Sequence, residues 1–321
     1  MGSGAFRGAV PRRTVAALGV AGMLAVPWIL GPYPVLMLSH ALILGLLAMS
    51  ANLLTGVTGL PTLGQAAYLG VGGYAAATVA RAVTPVGVVQ LLAAVVAATA
   101  AALLTGTVVA RSHGIVAIMV TLAVGELLHE AAVRWTPVTG GTDGLAGIGD
   151  VVPFWGLPPL PLDGQVYYYV LAVFAVLAAA VAALVRSPVG LVLRGIRDHA
   201  ARMRAHGYPV FRYRLLAQCV AGGLAGAAGA LTVSAQRYFS PADLGFDVSA
   251  LALLAVVIGG TGSLWGACAG AAVLVVLRDQ GLLGAHNGLL LGATCLLAVY
   301  ALPGGLAALP RRLANLRRPR T

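Results

Sequence analysis

The stretch Arg186-Ser-Pro-Val-Gly-Leu-Val-Leu-Arg-Gly-Ile-Arg-Asp-His-Ala-Ala-Arg-Met-Arg-Ala-His-Gly-Tyr-Pro-Val-Phe-Arg-Tyr-Arg214 decides how this chain is read. It holds seven of the twenty arginines and a single acid, Asp198, between two long apolar runs. Loops that carry such an excess of positive charge stay on the cytoplasmic side of a membrane, so the block reads as a cytoplasmic loop between spans. Arg194, Arg197, Asp198 and Ala201 recur at helical spacing, and Gly207 suits a left-handed C-terminal cap. Leu193 to Gly207 is therefore expected to be a short exposed helix. Lipid anchorage alone does not require one, and it has the form of a lever that a soluble partner pushes.

The composition agrees with that setting. Apolar residues make up 60% of the chain and charged residues 9%, where a soluble domain carries about 25% charged residues. Mean hydropathy is +0.93. The formal charge of +11 follows from positive cytoplasmic loops, and no nucleic-acid partner is expected. Cys219, Cys268 and Cys295 all fall in apolar runs without CxxC spacing, so no disulfide is expected. The chain contains no lysine. A Walker A phosphate loop and a Schiff-base enzyme both need one. Any ATP used by this protein is expected to be bound and hydrolysed by another polypeptide, with no cofactor in this chain.

A membrane span needs roughly 20 apolar residues, and the sequence offers about ten, with eight possible. They run near Val15–Leu30, Val35–Thr55, Leu63–Ala80, Val86–Ala110, Ile115–Arg134, Tyr167–Val185, Leu215–Ala235, Ala250–Gly260, Leu264–Leu277 and Leu289–Leu302. The first lacks a clear small-x-small cleavage site and reads as a retained helix rather than a signal peptide. With both termini cytoplasmic, sixteen of the twenty arginines lie inside, leaving Arg81, Arg134, Arg237 and Arg278 at the other face. The expected organisation is a cytoplasmic tail at 1–14, a transmembrane domain at 15–303 and a basic cytoplasmic tail at 304–321. Within the domain lie the cytoplasmic loop 186–214 and an external loop 136–165. The fold class is an all-α integral membrane protein of eight to ten transmembrane helices with a cytoplasmic coupling helix, embedded in lipid. The external loop is long, and such loops are usually functional or mobile, or else plain connectors.

Chemistry-bearing residues are few. Glu126 falls near the middle of the fifth span, where an ionisable group is costly and therefore a functional candidate. Glu130 and Arg134 follow on the same helix face, so a structural stripe is the competing reading. Two glycine-rich breaks stand out. One runs from Asn52 through Thr58-Gly59 and Gln65 to Tyr74, the other from Gly259 through Thr261-Gly262 to Gly270. Interrupted segments in two halves of a transporter can mark a central substrate site, because a broken helix frees backbone groups for a polar solute. On that ground Asn52, Thr58, Gly59, Gln65, Thr121 and Glu126 are the expected substrate-pathway residues, with Thr58 to Gln65 near the membrane midplane. Gly262, Gly266 and Gly270 form a four-residue ladder suited to close helix packing. Enzyme motifs fail. His129-Glu130 lacks the second histidine of a zinc helix, since Val133 stands there, and no metal site is expected. Gly147-Ile-Gly-Asp150 is similar to an intramembrane aspartyl protease motif but lies in the external loop, with no aspartate partner in a span.

These segments together resemble the permease subunits of branched-chain amino-acid ABC importers, the longer of the two membrane subunits in particular. The resemblance runs from Asn52 to Pro303. It is carried by Asn52-Leu-Leu-Thr-Gly56, Leu63-Gly-Gln-Ala-Ala-Tyr68, Thr121-Leu-Ala-Val-Gly-Glu126 and Thr139-Gly-Gly-Thr-Asp-Gly-Leu145. It continues in Ser187-Pro-Val-Gly190, Arg194-Gly-Ile-Arg197, Ser240-Pro241 with Gly245-Phe246, and Val257-Ile-Gly-Gly-Thr-Gly-Ser-Leu-Trp-Gly266. It implies a subunit of the bacterial inner membrane that pairs with a homologous permease, two ATPase subunits and a periplasmic or lipid-anchored substrate-binding protein. It also implies that Arg194, Arg197, Asp198, Ala201 and Gly207 belong to the helix that docks on the ATPase. Related permeases serve urea and short amides. Two departures matter. Gln65 stands where the family usually has histidine, and Arg202-Met-Arg-Ala-His-Gly207 is unusually basic. The alternative is a self-contained secondary transporter or channel in which Glu126 carries an ion. Three expectations follow from the sequence. Gln65→Leu lowers transport, Glu126→Gln mainly lowers stability, and Gly207→Val harms coupling more than loss of one arginine.

Overall fold

The computed structural model describes residues 31–156, 158–279 and 305–308, with Pro27 and Gly292 besides. The expected spans Val15–Leu30 and Leu289–Leu302, most of both tails and Cys295 fall outside the described residues. Helix α1 covers Pro32–Asn52, with proline in its first turn, where the missing N–H is harmless. It runs on into a π-helical turn, Leu53–Thr58, which stops at Gly59 in the left-handed conformation, φ +74°. Then come α2 (Gln65–Ala82), α3 (Gly87–Val109), α4 (Ile115–Arg134) and α5 (Asp163–Arg186). α5 ends at Ser187, extended ahead of Pro188, and α6 (Pro188–Ala205) starts at once with that proline at its first position. α7 (Val210–Gln236), α8 (Phe246–Gly259) and α9 (Leu264–Asp279) complete the set.

The chain is an all-α membrane protein. Among the described residues, α1 with its π turn, α3, α4, α5 and α7 are long and apolar enough to cross a bilayer. α8 and α9, expected as two separate spans, are instead the arms of one pair bent by 118°. At 1.5 Å per residue the 14-residue and 16-residue arms reach about 21 and 24 Å, short of the ~30 Å hydrocarbon core. The bend falls at Gly260 and Gly262, both at positive φ.

α7 is the centre of the bundle, and its packing rests on small side chains. α3 buries Ala94, Ala98, Ala102 and Gly106, one residue every four, against it. Gly222 and Gly226 of α7 meet this stripe so closely that an added Cβ would collide with Ala102 and Ala98. Without a hydrophobic driving force between helices in lipid, such close approach supplies the packing energy. On its other side α7 contacts α1, which also packs against α5, α8 and α9.

The loop 136–165 is strapped to the bundle. Leu145 and Phe239 exchange backbone hydrogen bonds of 2.8 and 3.1 Å, and Gly87 N–H donates to Val152 O at 2.7 Å. Arg237, the C-cap of α7, pairs with Asp150 at 2.8 Å. Asp150, the residue behind the protease alternative, is thus one half of an ion pair that holds this loop.

Candidate functional site

The two glycine-rich breaks and the basic helix converge on one place. Gly262, at the bend between α8 and α9, donates its N–H to Oδ1 of Asn52 at 2.9 Å. Arg197 of α6 donates from Nη1 to the carbonyl of Gly56 in the π turn. Gly59 packs so tightly against the Arg197 stem that a Cβ there would collide with it. Arg197 is exposed, as are Arg194, Asp198 and Ala201, yet its guanidinium reaches the membrane break.

The 26 residues Tyr33–Thr58 rise about 39 Å at 1.5 Å per residue, more than the hydrocarbon core needs. Thr58 to Gly64 accordingly sits at the end of the bundle beside α6. The side chains of Thr62, Thr121 and Ser249 take several of the backbone groups that the break frees. Leu63 N–H goes to Thr121 Oγ1 at 3.2 Å, Gly64 N–H to Thr62 Oγ1 at 3.3 Å and Ala66 N–H to Ser249 Oγ at 3.0 Å. The last caps the buried start of α2, which has no side-chain cap of its own. Among the buried side-chain atoms near the break, Asn52 Nδ2, Thr55 Oγ1 and Gln65 Nε2 have no hydrogen-bond partner among the described residues. Gln65 is 1% exposed, and its Oε1 accepts from Ser50 Oγ at 3.3 Å. Thr58 spends its hydroxyl on Leu53 O at 2.9 Å.

α4 joins this site through Thr121 but turns Glu126 away. Five residues rotate about 140° around a helix, and Glu126 is exposed where Thr121 is buried. The expected three-residue stripe reduces to one exposed pair, Arg134 Nε to Glu130 Oε1 at 2.5 Å. Gly266 and Gly270 sit in close contact with Gly259 and Ala255 of α8, but Gly262 lies in the bend, off that ladder.

α6 is not the single straight helix expected from its spacing. His199 takes non-helical angles, φ −152° and ψ 83°, so Ala201 does not continue the face of Arg194 and Arg197. Its end follows the expected cap. Gly207 has φ +84°, Tyr208 N–H reaches Met203 O at 3.1 Å and Gly207 N–H reaches Arg204 O at 2.9 Å, the two bonds of a Schellman motif. Gly56, Ser50 and Ser249 were not singled out by sequence reasoning. Gly56 lies inside the quoted first break. The serines carry no local signal, since their partners are 15 and 183 residues away.

A helical bundle with a broken span held to a basic loop helix defines a membrane transport subunit. The family model for the branched-chain amino acid transport system permease component matches residues 33–300, and the chain belongs to that family. It is 27% identical over 299 residues to the high-affinity branched-chain amino acid transport system permease protein LivM of Escherichia coli K12, covering 85% of this chain and 69% of the relative. The LivM protein of Salmonella typhimurium LT2 is similar at 27% over 294 residues, with the same coverage. No solved structure gives a significant match. The chain is a permease subunit of an ABC importer, and a transport component rather than an enzyme.

Proposed function

We propose that this subunit passes branched-chain amino acids, or a similar small polar solute, into the cell across the bacterial cytoplasmic membrane, with both termini inside. Its partners are a homologous permease, two ATPase subunits that bind and hydrolyse the ATP, and a periplasmic or lipid-anchored binding protein. The observation that carries the reading is the bond from Arg197 to Gly56, which joins the exposed basic helix directly to the interrupted span. Movement imposed on α6 by a soluble partner would be transmitted to the break without an intervening element. Asn52, Thr55 and Gln65 supply donors there that have no partner among the described residues, and opening the break would present them to a solute. The relatives' names supply the solute class.

The tagged chain is expected to co-purify with a second permease and an ATPase. Reconstituted with the binding protein, the complex is expected to accumulate leucine at the expense of ATP. A chain that purifies alone and moves solute without ATP would overturn the reading in favour of a self-contained carrier.

A further inference from the structure

At the end of the bundle away from α6, helices α1, α7, α8 and α9 line an open-sided cavity of about 620 Å³, with Asp247 and Arg278 exposed on its walls, within the usual size of small-molecule sites. Its walls are chemically divided. Ile43, Leu47 and Leu251 present aliphatic surface, while His40, Asp247 and Arg278 bring polar groups of both signs. The geometry of the bent pair explains the opening. α8 and α9 touch through Gly259 and Gly266 at the bend, and their far ends carry Asp247 and Arg278.

Each charge alone suits its helix end, an acid in the first turn of α8 and a cation in the last turn of α9. That does not account for their sharing one cavity with an aliphatic floor. Neither forms an ion pair among the described residues. The neighbouring Asp243 is otherwise engaged, since its Oδ2 accepts from Ser240 N–H at 3.1 Å and burial holds its carboxyl above the ordinary range. Two opposite charges in one cavity, not consumed by each other, match a ligand that carries both. The floor also leads inward. Leu47, one turn before Ser50 on α1, connects this floor along the helix to the Ser50 hydroxyl beside Gln65.

We propose that this cavity is a site for a zwitterionic aliphatic amino acid. Its carboxylate lies toward Arg278, its ammonium toward Asp247 and its side chain against Ile43, Leu47 and Leu251. The site rests on the amino-acid reading above and makes this subunit a second filter on the solute. In the proposed orientation it is the external entrance, about 24 Å of helical rise from His40 to Gly56.

The test measures binding of radiolabelled L-leucine to the assembled transporter in nanodiscs, without binding protein or ATP. Leucinamide lacks the carboxylate and 4-methylpentanoate lacks the ammonium. Each is expected to compete about tenfold worse than leucine, because each forfeits one charge-assisted contact. Arg278→Gln should weaken leucine about tenfold and leave leucinamide unchanged, and Asp247→Asn should weaken leucine equally and leave 4-methylpentanoate unchanged. Equal competition by the three ligands on the wild type overturns the site, whether or not the variants fold. So does leucine binding that neither variant alters. ATP-driven uptake by the same preparation separates the two failures. Leucine uptake without this selectivity overturns the site alone, and uptake of urea but not leucine overturns the transport reading with it.

Discussion

Arg197, in the middle of α6, donates a hydrogen bond to the carbonyl of Gly56, 141 residues earlier in the chain. The acceptor belongs to a π-helical turn, where the ordinary ladder is already irregular. Pulling on α6 therefore pulls on the least regular part of α1. Asn52, the residue just before this turn, is the acceptor for Gly262, so α6, α1 and the α8–α9 bend are joined through a few atoms.

Arg197→Ala is expected to leave the ATPase docked and active while lowering uptake about tenfold, the loss of one hydrogen bond from a charged donor. Gly207→Val is expected to do comparable harm. A Cβ at Gly207 meets nothing within 4 Å, so the cost is confined to left-handed backbone, about 1–2 kcal/mol. The excess harm expected for the glycine change from sequence is thereby reduced to rough equality. Parallel ATPase and uptake assays in proteoliposomes check it, and full uptake in Arg197→Ala would remove the bond from the coupling route.

Gln65→Leu should lower uptake without lowering thermal stability. The substitution is close in volume and deletes Nε2, a buried donor without a partner among the described residues. It forfeits one long bond from Ser50, 3.3 Å. Removing an unsatisfied buried donor relieves about 1–3 kcal/mol, enough to offset a bond of roughly 1 kcal/mol. A melting temperature at or above the wild-type value with impaired leucine uptake is the expected pair of results, and normal uptake would take Gln65 off the path.

The parts of the fold that could be read from the sequence are those governed by local rules. Ile115–Arg134 matches α4 at both ends, because apolar length, a preceding glycine and a following Trp-Thr-Pro bound it locally. Gly207 was legible for the same reason, since a left-handed cap is a property of one residue. The bend at His199 and the π turn at Leu53–Thr58 were not: no local signal marks the first, and the second is met by Arg197 from 141 residues away. The candidate site was half legible. Its residues lay inside motifs already marked, but the sequence assigned Arg197 and the break to different tasks. Only the tertiary packing brings them together.

Asn52→Ala should destabilise the protein as well as impair transport. The side chain is fully buried and its Oδ1 is the acceptor for Gly262 N–H. Truncation removes the acceptor of the exposed Gly262 amide, a loss of about 1 kcal/mol, and leaves a cavity where the buried Asn52 side chain stood, which adds to the cost. A lower melting temperature is expected here and not in Gln65→Leu, so a fluorescence-monitored thermal scan of the two variants side by side checks the assignment. Equal melting temperatures would mean that the bend does not depend on Asn52.

Glu126→Gln is expected to preserve stability and to lower uptake, the opposite of the structural outcome anticipated from its place beside Glu130 and Arg134. Those two pair with each other, and Glu126 belongs to neither described ion pair. It is exposed on α4 near the middle of a 20-residue apolar helix, among exposed side chains such as Met119 and Leu127. A carboxylate turned to lipid at that depth costs at least ~2.5 kcal/mol, so the face of α4 that carries it must meet polar surroundings in the assembled transporter. Neutralising the residue breaks no ion pair among the described residues and leaves the fold intact. Thermal scans and leucine uptake on the assembled complex separate the two outcomes, and a destabilised but fully active Glu126→Gln would return the residue to a structural role.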